Sequence, residues 1–377
     1  MTTERTLTVG LVGYRFMGKA HSNAWRQAPR FFDLPASLRL KTICGRDKTA
    51  VRKAAAQLGW EQSETDWQRV VGDPGIDIVD ICTANDTHCE IATAAAQAGK
   101  SILCEKPLAR NSGEAEAMVR AVRKARVVNM VCHNYRRIPA IALAKQMIQR
   151  GEIGDRIFHF RARYAQDWIV DPKFPLVWRL QSERSGSGAL GDIFSHIVDL
   201  ARYFVGEFEE VCGTLETFIK ERPREANARK KGRVTVDDAV TTIGRFKNGA
   251  LASLEATRFA PGRKNSITLE INGSAGSVFF DLEEMNRLQF YKGRDPKNQQ
   301  GFRNIIVTEA THPYINQWWP PGHIIGYEHT FVHTVADFVT AVVGGKSVQP
   351  TFEEGLKNQR VLDAVARSAR MKRWLKV

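Results

Sequence analysis

In the first third of the chain, short apolar runs alternate with helix-length stretches, and this alternation constrains the fold more than any other feature. Residues 6–12, 38–44, 76–82, 101–104 and 127–132 read as strands. Helix patterns run from about Met17 and across 49–58, 91–98 and 114–124. Repeated β-α-β units of this length predict a doubly wound parallel sheet.

After Asn134 the grammar changes. A helix is predicted over 139–150, ending at Gly151, followed by β-like stretches at 157–164, 211–219, 239–246, 250–258, 266–271 and 276–280. Asn248-Gly249 is a hairpin signal between two of them. Strands that follow one another without helices predict a mostly antiparallel sheet. Helices return at 328–343 and 353–372, and the last is expected to pack back on the first domain. A length of 377 residues favours two domains. We assign residues 1–134 to a nucleotide domain and 135–377 to an α+β domain for substrate binding and oligomerisation.

No apolar run approaches the ~20 residues that span a bilayer. The N-terminus leads directly into a strand pattern, so no signal peptide is expected. Cys44, Cys82, Cys89, Cys104, Cys132 and Cys212 show neither a CxxC pair nor zinc spacing, so no metal is expected. They read as buried thiols of a cytoplasmic protein. The net charge is +14, part of it in the run from Lys220 to Arg233. No aromatic residues interleave with these charges, which favours a solvated loop over nucleic-acid binding.

Val9-Gly10-Leu11-Val12-Gly13-Tyr14-Arg15-Phe16-Met17-Gly18 follows the first strand and opens the first helix. Glycines there permit a tight turn and let backbone amides reach a pyrophosphate. Gly13 and Gly18 fit the first and third positions of G-x-G-x-x-G, but Arg15 replaces the second glycine. Gly13, Tyr14, Arg15, Phe16 and Met17 are therefore candidates to bind a dinucleotide. At the second strand's end, Gly45-Arg46 stands where an acid would bond the adenosine ribose. Arg46 suits either a 2′-phosphate or stacking on adenine, so the reading is NAD with NADP left open. Thr83, Asn85 and His88 follow the third strand, where loop residues overhang a cofactor; the alternative for His88 is a packed histidine.

Cys104-Glu105-Lys106-Pro107 ends a buried strand in a carboxylate, an amine and a proline. Such a tip is unsuited to packing, and it lies at the sheet rim where open α/β folds place ligands. Farther on, Asp192, His196 and Asp199 fall at i, i+4 and i+7 of a predicted helix, hence on one face. Taken alone, the pattern reads first as an Asp cap with a satisfied buried histidine.

Gly10–Gly18, Thr83-x-Asn85-x-x-His88, Glu105-Lys106-Pro107 and Gly191-Asp192-x-x-x-His196 occur together in this order. In this the chain resembles the glucose–fructose oxidoreductase/inositol dehydrogenase/rhizopine-catabolism (Gfo/Idh/MocA) superfamily over essentially its whole length. Phe16-Met17-Gly18-Lys19-Ala20-His21-Ser22, Asn134-Tyr135-Arg136-Arg137 and Gln166-Asp167-Trp168 are similar to its levoglucosan dehydrogenase-like members. Arg15, Ala84 in place of the usual proline, and Gly45-Arg46 depart from the pattern. The resemblance implies an α/β protein, with a Rossmann doubly wound parallel sheet domain followed by an α+β domain. It implies NAD(P)-dependent oxidation of a secondary ring hydroxyl, at C3, of a pyranose, glycoside or anhydrosugar.

The same resemblance implies Lys106, Asp192 and His196 as catalytic residues. A histidine suits the base, and a lysine can stabilise the alkoxide or exchange the proton. We assign His196 as acid/base, Lys106 as the group polarising the oxygen and Asp192 as bonding a hydroxyl, with the first two roles exchangeable. Glu105 and Lys106 join the cofactor candidates. Tyr135, Arg163, Gln166, Trp168 and Trp178 are sugar-pocket candidates, with Lys106, Asp192 and His196. The Lys106–Pro107 bond is expected to be cis, and the protein to be a homodimer or homotetramer that binds neither nucleic acid nor membrane. Alternatives are an inositol dehydrogenase, a keto-sugar reductase, or a glycosidase that oxidises its substrate transiently.

Overall fold

The structure is a computed structural model that describes residues 5–226 and 228–377. Residues 1–4 of the N-terminal segment and Asn227 of the basic run lie outside the described residues. The chain divides into two compact units. Unit 1 holds Met1–Asn134 and Gly326–Gln359, and unit 2 holds Tyr135–Ile325 and Arg360–Val377.

Unit 1 runs β1 (Thr6–Val12), α1 (Phe16–Phe31), β2 (Ser37–Cys44), α2 (Lys48–Leu58), β3 (Gln62–Glu64), α3 (Trp67–Gly72), β4 (Ile78–Ile81), α4 (His88–Gln97), β5 (Ser101–Glu105), α5 (Ser112–Ala125) and β6 (Asn129–Cys132). The six strands pair in parallel in the order β3-β2-β1-β4-β5-β6. This is the doubly wound order whose reversal between β1 and β4 opens a crevice at the strands' carboxyl ends. β4 and β6 are buried at every residue, as a sheet covered on both faces requires. β3 and α3 escaped the sequence reading because three residues and six residues carry too little periodicity.

Unit 2 opens with α6 (Pro139–Gln149) and β7 (Ile157–Ala165), then α7 (Ser182–Ser185) and α8 (Ser195–Phe204). The strands β8 (Phe208–Glu216), β9 (Glu221–Pro223), β10 (Lys231–Arg233), β11 (Ala239–Phe246), β12 (Leu251–Thr257), β13 (Ser266–Gly273), β14 (Gly276–Asp281), β15 (Arg287–Lys292) and β16 (Arg303–Ile306) follow. Nine strands, including the C-terminal Leu375–Lys376, form one sheet ordered β16-β15-β14-β13-β7-β12-β11-β8 and then that last strand. Only β7 and β12 pair in parallel. The Asn248-Gly249 turn joins β11 to β12 as predicted, with Gly249 at φ 86°. Period-two burial puts Phe160, Ala162 and Tyr164 of β7 on the covered face and Arg161 on the open one.

The basic run departs from the solvated loop expected for it. β9 and β10 pair as a small hairpin, and Arg222 is buried, donating to the carbonyls of Asp171, Phe174 and Ile169. Its planar fork satisfies three turn carbonyls at once, a task invisible in a charge count.

α9 (His329–Val343) belongs to unit 1, not to the second domain where the sequence reading put it. Its apolar stripe packs on α1, with Phe338 edge-on to Trp25 at 6.5 Å. α10 (Phe352–Met371) is shared between the units, its residues up to Gln359 falling in unit 1. There Phe352 and Leu356 join the core cluster of Leu108 and Val131. In unit 2, Ser368 Oγ accepts from the Gly213 N–H at 3.1 Å. Phe352 is fully buried, so Phe352→Ala should cost about 3–5 kcal/mol in denaturant unfolding. A loss below about 1 kcal/mol would contradict its place in the core.

Candidate functional site

Four strand ends of unit 1 carry the cofactor candidates. After β1 the chain turns at Gly13, whose φ of +107° is open chiefly to glycine. A Cβ on Gly18 would lie 1.8 Å from the Gly13 carbonyl oxygen, so both glycines are needed for α1 to start this close to β1. α1 has no side-chain cap and no acid in its first turn, which leaves its leading amides to an anion. Arg15 is its N-cap residue, Phe16 is exposed and Met17 half-buried. The Tyr14 ring lies so close to Gly45 that a Cβ there would come within 2.1 Å of it. Arg46 is exposed beside them, and Asp47, the nearest acid, caps α2 through the Ala50 N–H. Thr83 Oγ1 accepts from Thr87, and Asn85 is buried at the start of a short 3-10 turn. This glycine-built cradle suits a dinucleotide's pyrophosphate.

Two cofactor candidates are corrected. His88 is fully buried, with Nδ1 3.1 Å from the Pro107 carbonyl and Nε2 3.3 Å from that of Thr83. It braces one loop against another, and burial lowers its pKa, so it is the packed histidine of the alternative reading. Glu105 also turns inward. Its Oε1 meets His21 Nε2 at 2.9 Å, and its Oε2 accepts the Lys106 N–H at 3.1 Å. The half-buried Lys106 follows, and the Lys106–Pro107 bond is cis.

Beneath this tip lies a buried ionic chain that the sequence reading missed. His21 Nδ1 stands 2.9 Å from Asp80 Oδ2, which also accepts from the Trp25 indole at 2.7 Å. Burial is the largest influence and works against a charged His21, but the charge and hydrogen bond of the buried groups facing it, Asp80 foremost, together outweigh it, and the ring stays well above 6.5. Burial likewise works to raise Glu105, yet the hydrogen bond and charge of His21, with Lys106, hold it below its usual range. With Cys82 and Cys132 nearby, these side chains are of metal-ligand types. Two ligands on one tetrahedral zinc would stand about 3.4 Å apart, so contacts of 2.9 Å fit hydrogen bonds and not a tetrahedral zinc site. The available signal was Asp80 itself, a carboxylate inside an apolar strand.

Unit 2 contributes a second cluster. Leu190–Phe194 forms a π-helical turn that runs into α8, and such wide turns recur at functional sites. The turn shifts Asp192 off the simple helical stripe predicted for it. Arg258, fully buried, donates to Asp192 Oδ2 at 2.8 Å and to the Gly188 carbonyl at 3.0 Å. Asp237 fixes the same loop by accepting the Gly188 and Leu190 N–H groups at 2.8 and 2.7 Å. Burial raises the Asp237 pKa, against the pull of those two amides and the charge of Arg258. Asp199 accepts from Nε and Nη2 of Arg136, at 2.7 Å each, so the two carboxylates of the predicted stripe serve different arginines.

His196 packs against Tyr135 and Tyr164, with ring centroids 4.5 and 5.9 Å away. A hydrogen-bonded series extends from these rings. Tyr135 and Tyr164 hydroxyls lie 3.1 Å apart, Tyr164 donates to Asn265 at 2.6 Å, Gln166 donates to Asn265 at 2.9 Å, and Trp168 donates to Gln166 at 2.9 Å. The Arg258 guanidinium lies 5.3 Å over the Trp168 ring, which links this series to Asp192. Tyr164, Asn265 and Arg258 were not anticipated; Tyr164 shares the alternating face of β7, but the others are isolated in sequence.

One pocket candidate is corrected. Arg163 alternates with Tyr164 on β7, so it lines a depression of about 270 Å³ on the open face of the sheet with Thr241, Glu255 and Thr268. Trp178 sits in a 3-10 turn with the guanidinium of its neighbour Arg179 4.4 Å from its ring.

A glycine cradle on a doubly wound sheet, followed by a unit built on one large sheet, defines an NAD-binding oxidoreductase. Residues 7–133 match the oxidoreductase family with an NAD-binding Rossmann fold, and residues 141–279 match the GFO/IDH/MocA C-terminal domain. The chain belongs to the Gfo/Idh/MocA oxidoreductase family. It is 46% identical to levoglucosan dehydrogenase of Pseudarthrobacter phenanthrenivorans, over 99% of this chain and 98% of that protein. A crystal structure of an oxidoreductase domain protein from Kribbella flavida is 53% identical, with a TM-score of 0.96 over 99% of both chains. Levoglucosan dehydrogenase solved with NADH and levoglucosan is 47% identical, also with a TM-score of 0.96, over 99% of this chain and 100% of that one. Among the described residues no helix is long and apolar enough to cross a membrane.

The ionic chain makes stability depend on pH in a definite way. The raised His21 contributes fully below 6.5, and its contribution is lost as pH climbs through the folded value. The lowered Glu105 contributes above 4.5 and is lost as pH falls through its folded value. The stability gap between the native protein and His21→Gln, measured by urea unfolding, should therefore be widest between 4.5 and 6.5 and narrow on both sides. A gap independent of pH would contradict a charged chain.

Proposed function

We propose that the protein is an NAD-dependent sugar dehydrogenase that oxidises the C3 hydroxyl of a pyranose, glycoside or anhydrosugar to a keto-sugar. The observation that carries this reading is the series around His196. It couples hydroxyl, amide and indole groups to flat aromatic faces, and a sugar ring presents hydroxyls on its rim and C–H groups on its faces. The likeness to a dehydrogenase solved with NADH and levoglucosan supports an anhydrosugar as the first substrate to try.

The residues divide the work as follows. The Gly13–Met17 turn holds the pyrophosphate with backbone amides, and Tyr14 against Gly45 shapes the adenosine end. Bound NAD supplies the carbon that accepts hydride. His196 takes the hydroxyl proton as the C–H bond breaks, and Lys106 donates to the same oxygen, stabilising its developing negative charge. Asp192, oriented by Arg258, accepts a hydrogen bond from a neighbouring hydroxyl. Tyr135, Gln166 and Trp168 position the ring.

The test is to incubate the purified protein with NAD⁺ and a panel of levoglucosan, glucose, glycosides and inositols. Absorbance of the reduced coenzyme reports turnover, and NMR of the product locates the carbonyl. Reduction with a sugar and a carbonyl at C3 are expected. Turnover of inositols alone, or release of sugar from a glycoside without reduced coenzyme, would replace the reading by one of its rivals. Lys106→Ala should lower kcat by a factor on the order of a thousand with NADH affinity little changed. Retained turnover in that variant would overturn the role of the lysine.

A further inference from the structure

The chain Asp80–His21–Glu105 takes no part in the mechanism above, yet it places three ionisable groups in a core. Carboxylates from adjacent strands face opposite nitrogens of one ring, Nδ1 2.9 Å from Asp80 and Nε2 2.9 Å from Glu105. A neutral imidazole has a single N–H, so it would turn a lone pair toward one carboxylate; only the imidazolium donates to both. The geometry therefore fixes a series of charges, negative, positive, negative.

The other groups facing the ring add no charge. Cys82 after β4, Cys104 on β5 and Cys132 on β6 are thiols that burial pushes up, Cys132 to about 12. From α9, the Phe331 ring lies 5.3 Å away, and from α1 the Trp25 indole secures Asp80. The charges in play are Asp80, Glu105 and Lys106. At its outer end the chain touches the catalytic tip, because Glu105 Oε2 accepts the Lys106 backbone N–H.

We propose that His21 and Asp80 are positioning residues of the dehydrogenase, which hold Glu105 charged and fixed against Lys106 and so set how readily the lysine amine keeps its proton. The inference rests on the reading of Lys106 as partner of the reacting oxygen. It goes beyond that reading in assigning two buried residues, neither of which touches substrate, to the control of that lysine.

Two isosteric variants separate this control from passive packing. In Asp80→Asn, the amide donates to His21 Nδ1, the ring becomes neutral, and the Glu105 charge is no longer offset. Lys106 then keeps its proton to higher pH. In Glu105→Gln, the charge beside Lys106 is gone, and the amine releases its proton at lower pH. The basic limb of kcat/KM against pH for sugar oxidation, where the lysine donor loses its proton, should shift up in the first and down in the second, each by about half a unit or more. In both, kcat at the native optimum should fall about tenfold or more, while the NADH Kd from fluorescence titration stays within about twofold.

Shifts in the same direction, or none, overturn the proposal. Lys106→Ala, assayed in parallel, keeps the two failures apart. Retained turnover there defeats the reading of Lys106 and this inference with it, whereas a dead Lys106→Ala beside unmoved limbs defeats the inference alone. One measurement needs no altered carboxylate. In ¹⁵N-histidine-labelled native protein, with His21 assigned by its loss in His21→Gln, both ring nitrogens should still carry protons above 6.5, where a free imidazole loses one. A single protonated nitrogen would refute the charged chain.

Discussion

Two carboxylates from neighbouring parallel strands share one imidazole, and the carboxyl end of the sheet in unit 1 is arranged around that bond. β4 and β5 pair in register from Ile78↔Ser101 to Ile81↔Cys104, which sets Asp80 and Glu105 near the same edge of the sheet. Left to themselves they would repel in a medium of low polarity. His21, brought in by α1, turns repulsion into two charge-assisted hydrogen bonds. Removing one member of such a buried set typically costs about 3–5 kcal/mol, because the others keep their desolvation penalty without their partner. The close glycine turn serves the same arrangement, since α1 must start hard against β1 for His21 to reach β4 and β5.

Much of this was legible in the sequence. The β-α rhythm of the first third predicts the parallel sheet, and the loss of that rhythm after Asn134 predicts the second. Lys106 stood out because a lysine between a buried strand and a proline is unsuited to packing. The partnerships that decide what each polar residue does were not legible. Glu105 and His88 belong to motifs that point to a coenzyme, but both face inward, because a motif records a residue type and not the direction of its side chain. Arg163 failed for a simpler reason: one step along a strand reverses the face. Arg258 and Asn265 lie far in sequence from the residues they hold, and no local period reports such contacts.

The second unit solves its positioning problem with different chemistry. Asp192 is partly exposed, but the arginine that orients it is buried, and that arginine also grips the carbonyl of Gly188. Asp237 takes two amides of the same loop. A π turn distorts helical geometry and would relax if nothing held it, so a buried carboxylate below and a buried guanidinium beside it are what keep Asp192 in place. Arg136 and Asp199 form a further buried pair on α8, with Tyr203 stacked on the guanidinium at 4.7 Å.

The two clusters differ in what they can offer a polyhydroxylated ligand. The Asp80–His21–Glu105 chain is ionic, buried and saturated, so it can tune a neighbour but cannot itself bind. The Tyr135–Tyr164–Asn265–Gln166–Trp168 series is made of neutral groups whose hydrogen bonds are near thermal cost to exchange. A neutral hydroxyl gains little over water by meeting a neutral amide, about 0.5–1.5 kcal/mol per bond, so affinity must come from several such bonds and from aromatic faces together. A site built this way discriminates by the pattern of hydroxyls and not by charge.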